Sequence, residues 1–179
     1  DSCMHIRAAS VALACVVATM TTPVAAIEPM VGADLTWTNI KVAGATFNPL
    51  AARLRFALAL TPVWEIGVLA GSGIVDDSEV SVRADIGGFY AGYVRYSASL
   101  DDNARLVLNA GYGAMTLDIA SVLPGFPGSE TYSGVVYGIA LEERLARNPR
   151  WIGALDFERW YHDQGLTINS ISYGFRREF

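Results

Sequence analysis

Large apolar side chains recur at every second residue through most of this chain, and the positions between them hold small residues and charges of both signs. The pattern is plain in the last stretch, where Ile171, Tyr173, Phe175 and Phe179 alternate with Ser172, Gly174, Arg176 and Glu178, with Arg177 as the exception. A period of two belongs to a strand whose faces differ in polarity, because successive side chains leave opposite sides of the pleat. Such strands build either a soluble sheet with the apolar face inside or a barrel in lipid with that face outside. The composition of the second face decides between them.

Turn residues divide the chain into eight such segments: Met30–Asn39, Leu50–Thr61, Trp64–Gly73, Val80–Ser99, Ala104–Ile119, Ser133–Leu145, Trp151–Tyr161 and Leu166–Phe179. In the second, Leu54, Phe56, Leu58 and Leu60 alternate with Arg53, Arg55, Ala57 and Ala59. In the fourth, the apolar face is expected to carry Val82, Ala84, Ile86, Tyr90, Val94 and Tyr96. Across all eight, the second face mixes glycine and alanine with Arg53, Arg55, Glu65, Arg83, Asp85, Arg95, Arg105, Glu142, Arg144, Asp156, Glu158 and Arg176. A soluble barrel would turn its apolar face inward. An eight-stranded barrel in lipid has an interior that side chains just fill, so small residues make room there and charges of opposite sign pair with one another. The apolar face then meets lipid, and the sheet must close so that no backbone group is left unpaired in hydrocarbon. The expected fold is all-β: an eight-stranded antiparallel up-and-down transmembrane β-barrel with short periplasmic turns.

Composition agrees. The chain is 52% hydrophobic with a mean hydropathy of +0.30. Beyond the N-terminal region, no apolar run approaches the roughly 20 residues of a transmembrane helix. The net charge of −5 and a single lysine, Lys41, leave no basic patch for nucleic acid.

The N-terminus has the form of an export signal. Met4-His5-Ile6-Arg7 precedes the apolar run Ala8–Met20, and small residues end at Ala26. Cleavage is expected after Ala26, with Met4 as the start and Asp1–Cys3 as an upstream extension, leaving residues 27–179 as one barrel domain. Cys3 and Cys15 both leave with this segment, and Ala12-Leu13-Ala14 before Cys15 is a poor lipobox. The mature chain then has no cysteine and one histidine, His162, which gives no ordinary metal or heme site; no cofactor is expected.

Connections after the second, fourth and sixth segments (Pro62-Val63, Leu100–Asn103, Ala146–Arg150) are tight. Those after the first, third and fifth (Ile40–Pro49, Ile74–Glu79, Ala120–Tyr132) are mostly longer, matching the short-inside, long-outside asymmetry of such barrels. Trp64 and Trp151 begin strands at one rim, whereas Trp37 and Tyr161 end strands at the other, as two aromatic girdles would require.

Nearly the whole mature chain resembles the small eight-stranded bacterial outer-membrane β-barrel family, of the OmpA transmembrane-domain and OmpX type. The likeness is greatest from Tyr132 to Phe179, where Gly134-Val135-Val136-Tyr137-Gly138-Ile139-Ala140-Leu141-Glu142, a turn, a charged strand and an aromatic terminus follow one another. Ile171, Tyr173, Phe175 and Phe179 resemble the C-terminal signal read by the barrel assembly machinery, from which Arg177 departs. The resemblance implies residence in the Gram-negative outer membrane, contact with lipid and lipopolysaccharide, and periplasmic chaperones during biogenesis. It also implies a monomer without catalytic residues, acting in envelope structure or surface interaction. Two other functions stay open. A lipid-modifying enzyme such as a lipid A deacylase would need a Ser/His/acid set, for which His162, Asp163, Ser133 and Ser170 are the candidates. A narrow porin-like pore would need the interior charges to line water rather than plug it.

Overall fold

The structure is a computed structural model that describes residues 28–42, 44–79, 82–121, 128–163 and 165–179. The expected signal segment, residues 1–26, lies outside the described residues. Eight long strands form the wall: β1 (Glu28–Val42), β3 (Leu50–Ala59), β4 (Trp64–Val75), β6 (Val82–Ser99), β7 (Ala104–Ser121), β8 (Ser129–Leu145), β9 (Asn148–Asp163) and β10 (Leu166–Glu178). Two short strands, β2 (Ala45–Phe47) and β5 (Asp77–Glu79), ride on β1 and β6. Every long strand pairs antiparallel with its neighbours in sequence. β10 returns to β1 in a continuous register from Met30↔Glu178 to Val42↔Leu166, so the sheet is a closed eight-stranded barrel.

One end is trimmed to tight turns at 60–63, 100–103 and 146–147. At the second of these, Asp101 Oδ1 accepts from the amides of Asn103 and Ala104 at 2.7 Å each. Those bonds hold its carboxyl below the usual value. The other end carries β2 and β5, and β9 turns into β10 through Gly165 at φ 82°, a left-handed conformation that glycine adopts without steric cost.

The faces divide as the alternation requires. Val31, Leu35, Leu54, Phe56, Val68, Val94, Leu108, Ile139 and Tyr173 are exposed on the outer surface, while Arg53, Arg95, Glu142, Asp156 and Arg176 are buried inside. Glycines let the wall close tightly: a Cβ on Gly174 would collide with the backbone of Ala33 and the carboxylate of Asp34 across the β1–β10 seam.

Three departures from the sequence expectation share a cause in β-bulges or height. The pairing of β6 with β7 shifts register between Ile86 and Gly88, and the extra residue reverses the phase of the strand below it in sequence. Val82, Ala84 and Ile86 therefore point inward, and Arg83 points outward with a 60% exposed side chain that binds Asp76 at 2.7 Å. Asp85 alternates with those inward residues and accepts from the Ile86 amide at 2.7 Å, so neither Arg83 nor Asp85 belongs to the interior charge set. A second shift between Ile168 and Asn169 leaves Trp160 unmatched on β9, and Tyr161 turns inward to stack on Tyr132, at 5.2 Å between ring centroids, instead of serving a girdle. Finally, the upper interior is apolar rather than a mixture of small and charged residues. Ile40, Phe47, Ile86, Phe89, Met115, Leu117, Trp160 and Ile168 fill it.

Candidate functional site

The lumen has two storeys. Towards the short-turn end, Arg53, Arg55, Arg95, Arg105 and Arg176 interleave with Asp34, Glu65, Glu142, Asp156 and Glu158. Every one of them is contributed by an inward position of the alternation. Arg53 donates to Asp34 at 2.9 Å and to Glu158 at 2.5 Å. Arg55 lies 3.5 Å from both Asp34 and Asp156 and stacks over Tyr93. Arg95 joins Glu65 at 2.7 Å to Glu142 at 2.6 Å. Glu142 also takes Arg105 at 2.6 Å and Arg176, and Arg176 reaches Asp156 at 3.2 Å. Cations and anions in this set are equal in number, which is the condition under which burying them is tolerable. Arg144, expected in the same set, stands at the mouth: its side chain is 36% exposed and forks onto Glu178 at 2.6 and 2.7 Å. A cavity of about 280 Å³ opens at this mouth, lined in part by Glu65, Ser97, Arg105, Arg144 and Glu178, and the charge network is its floor.

Above the network, Tyr93 reaches the carbonyl of Phe56 at 3.5 Å, and Phe89 meets Trp160 edge-on at 5.2 Å. The Trp160 indole N–H donates to Ser170 at 3.2 Å, which satisfies its polar tip. The apolar storey lies across the path that the charged one leaves, and the two together fill the lumen. Glycines at positions 87 and 88 were the sequence signal for the bulge that turns Val82, Ala84 and Ile86 into it.

The candidate hydrolase residues are divided between the two faces of the wall. His162 Nδ1 is 2.8 Å from Thr167 Oγ1 on the outer wall. Ser170 is buried in the lumen with Trp160, and Ser133 accepts from Tyr112 at 3.4 Å one strand beyond β9. The terminal apolar residues Ile171, Tyr173 and Phe175 lie exposed on the outside of β10, Tyr173 and Phe175 with centroids 5.6 Å apart. Arg177 is also outward, its guanidinium 4.9 Å from the Phe179 ring and 5.8 Å from that of Trp151. Trp64 and Tyr96 pack 5.1 Å apart at the same rim. Trp37 is exposed towards the opposite rim.

The long-loop end carries charges of both signs. On β1, β10 and β9, cross-strand register sets Lys41, Thr167 and His162 in one row and Asn39, Asn169 and Arg159 in the row beneath. Arg159 donates to Asn169 at 2.9 Å. The next row down is Trp37, Ile171 and Phe157. Between β4 and β8 the same end carries Asp76, Asp77, Asp85, Asp118 and Glu130 with Arg83, and Asp77 Oδ2 accepts from the Asn48 amide at 2.7 Å, beside β1 and β2.

No family model matches the chain, and no curated protein does. Solved structures match over most of its length. Ail, the attachment invasion locus protein of Yersinia pestis, solved with the heparin analogue sucrose octasulfate, superposes with a TM-score of 0.62 at 15% identity, covering 86% of this chain and 99% of Ail. Neisserial surface protein A gives 0.64 at 12% identity over 84% and 97%. The N-terminal β-barrel domain of Pseudomonas aeruginosa OprF gives 0.51 at 12% identity over 81% and 96%. At such identities the likeness is one of fold, and it agrees with the closed register and the inverted faces: the chain has the fold of the small eight-stranded outer-membrane β-barrels.

Proposed function

We propose that this protein is a non-enzymatic integral protein of the bacterial outer membrane, exported through a signal peptide cleaved after Ala26, with a role in envelope structure or surface interaction. One observation carries the proposal: the apolar face is outside and a sign-balanced charge network is inside. In water that arrangement would leave Leu54, Val68 and Tyr173, each about half or more exposed, without cover; in a bilayer it is the stable one. The short-turn end is the periplasmic one by the same family rule. β6 and β7 have 18 residues each, against the roughly 9–11 that a tilted strand needs to cross hydrocarbon. The surplus stands above the membrane with its own apolar core, a rigid rim suited to contact rather than passage. The filled lumen argues against a pore, and the burial of Ser170 on the face opposite to His162 argues against its serving in a hydrolase set. Ail, similar in fold, bears an attachment role in its name, which is in keeping with the surface reading. Folding as a monomer through the barrel assembly machinery and periplasmic chaperones, with Ile171, Tyr173, Phe175 and Phe179 as the recognised strand, completes the proposal.

Membrane fractionation with a heat-modifiability gel on the same sample tests it. The protein should sediment with outer membranes, resist protease, and migrate differently in SDS before and after boiling. Recovery as a soluble periplasmic protein without detergent would overturn it.

A further inference from the structure

We propose that the cavity at the short-turn mouth of the barrel binds a small amino-carboxylate, a free amino acid or the end of a short peptide. Arg105 and Ser97 hold its carboxylate and Glu28 its ammonium. That the mouth opens to the periplasm rests on the membrane reading above; the site adds a ligand class to it. The cavity holds about 280 Å³, near the lower end of small-molecule sites. Its donors stand on neighbouring strands. Arg105 of β7 faces Ser99 of β6 in register, so Ser97 lies on the diagonal, about 7–8 Å away along the wall. Arg105 spends only Nε, on Glu142 at 2.6 Å, and neither terminal nitrogen has a hydrogen-bond partner among the described residues. Other arginines of the lumen are committed: Arg53 reaches Asp34 and Glu158, and Arg144 forks both terminal nitrogens onto Glu178. Ser97 also lines the cavity, and its hydroxyl has no partner among the described residues. A guanidinium edge beside a hydroxyl is a donor set that a carboxylate takes.

The rest of the cavity suits the other parts of such a molecule. Glu28 lines it, exposed and in no ion pair among the described residues, which leaves its carboxylate for an ammonium. Register sets Glu28 opposite Ala59 and Met30 opposite Ala57. Met30 and Ala59, with Pro62 and Val63, give the cavity an apolar wall. That wall is preformed. Thr61 Oγ1 accepts from the amides of Val63 and Trp64 at 3.3 and 2.9 Å, and the Val63 carbonyl accepts from the Ser97 amide at 2.8 Å. A turn tied to β6 in this way leaves little to order on binding. The acids of the lining, Glu28, Glu65 and Glu178, outnumber its arginines, Arg105 and Arg144. A bare anion would therefore meet a surplus of negative charge, and a bare cation would leave Arg105 unmet. A molecule that carries both charges satisfies both.

The test uses the refolded full barrel in detergent, with the dipeptide Ala-Ala and free alanine as probes, read by isothermal titration calorimetry. Wild type should bind one or both, and the tighter probe names the source. Amidating the carboxylate of that probe should abolish binding. Arg105→Gln should weaken it about ten- to hundredfold, the usual span for a hydrogen bond to a charged group. Arg105→Lys, which keeps the charge but not the fork, should recover only part of the loss. Glu28→Gln should weaken the free-amine probe about threefold and leave its N-acetylated form unchanged, a split that a structural role for Glu28 would not produce. Arg83→Gln, at the other end of the barrel, should change nothing. No binding at millimolar probe, or equal binding of the amidated probe or by folded Arg105→Gln, would overturn the proposal. Acetate bound as tightly as the dipeptide would identify a plain anion site and overturn it too. Should Arg105→Gln fail to fold, Ser97→Ala leaves the charge network intact and should still weaken binding severalfold; equal binding there and in Glu28→Gln would be equally fatal. The heat-shifted band, measured on each sample, separates the two readings: a barrel that shifts but binds no probe retires the site alone, and a protein that binds while soluble without detergent retires the membrane reading alone.

Discussion

Glu142 is the acid on which the interior network converges, and Glu142→Leu is its most informative perturbation. Three guanidinium groups lose a carboxylate: those of Arg95, Arg105 and Arg176. Two are rescued in part. Arg95 keeps Glu65 at 2.7 Å and Asp156 at 3.7 Å, and Arg176 keeps Asp156 at 3.2 Å. Arg105 has no second acid among the described residues, but its side chain is 19% exposed at the mouth and can find water. Removing one partner of a buried pair costs about 3–5 kcal/mol, and these escapes place the expected loss near the lower bound, at about 3 kcal/mol. Arg105→Leu alone should cost less, because Glu142 retains Arg95 and Arg176. The double variant removes one charge of each sign and restores balance, so it should be more stable than Glu142→Leu, with a coupling of about 1.5–3 kcal/mol. Reversible urea unfolding in lipid vesicles, followed by tryptophan fluorescence, measures all four proteins. A loss below about 1 kcal/mol for Glu142→Leu, or singles that simply add in the double, would refute the sign-balance reasoning.

On the opposite face, Val68→Arg introduces a charge into the apolar band and should cost about 2–4 kcal/mol in the same assay, whereas Arg55→Lys, which keeps the interior charge, should be milder. If Val68→Arg were harmless and Arg55→Lys abolished folding, the faces would be reversed. Deleting Phe179 should lower the yield of heat-shifted barrel in cells far more than Arg177→Tyr, which replaces a stacked cation with an aromatic; equal yields would remove the terminal signal from the account. Asp101 has a carboxyl held below its ordinary value of 3.8 by two amides. Its stabilisation should be fully present above that value and lost as pH falls through the lower folded one, so acid titrations of wild type and Asp101→Ala should converge only at the acid end. Planar-bilayer recordings should show no steady conductance, and a stable open level would contradict the filled lumen.

Strand number, closure and most facing were legible because a period of two carries them directly. Arg53, Arg55, Glu65, Arg95, Glu142, Asp156, Glu158 and Arg176 all lie inside at positions the alternation marks. Arg83 and Asp85 do not, because alternation counts residues and cannot register one that pairs with nothing. The Gly87-Gly88 pair was the available sign of that extra residue. Trp160-Tyr161 offered no comparable mark, since two adjacent aromatics fit a girdle as readily as a bulge. The apolar storey was hidden for another reason: Leu117, Ile119 and Ile168 are inward residues of strands longer than the membrane is thick, and the alternation is silent about height.

The interior network also dictates when the barrel can enter hydrocarbon. Arg53 is partnered by Glu158, 105 residues away, and Thr36 by Ser172, 136 residues away, so both ends of the chain must meet before these groups are satisfied. A sheet lacking β9 or β10 would present Arg53, Arg55 and Asp34 to whatever lay beside it, and in lipid each would cost several kcal/mol. Such a sheet is held at the aqueous boundary by its own charges. Closure releases it, so the last strand made is also the one that admits the rest to the membrane.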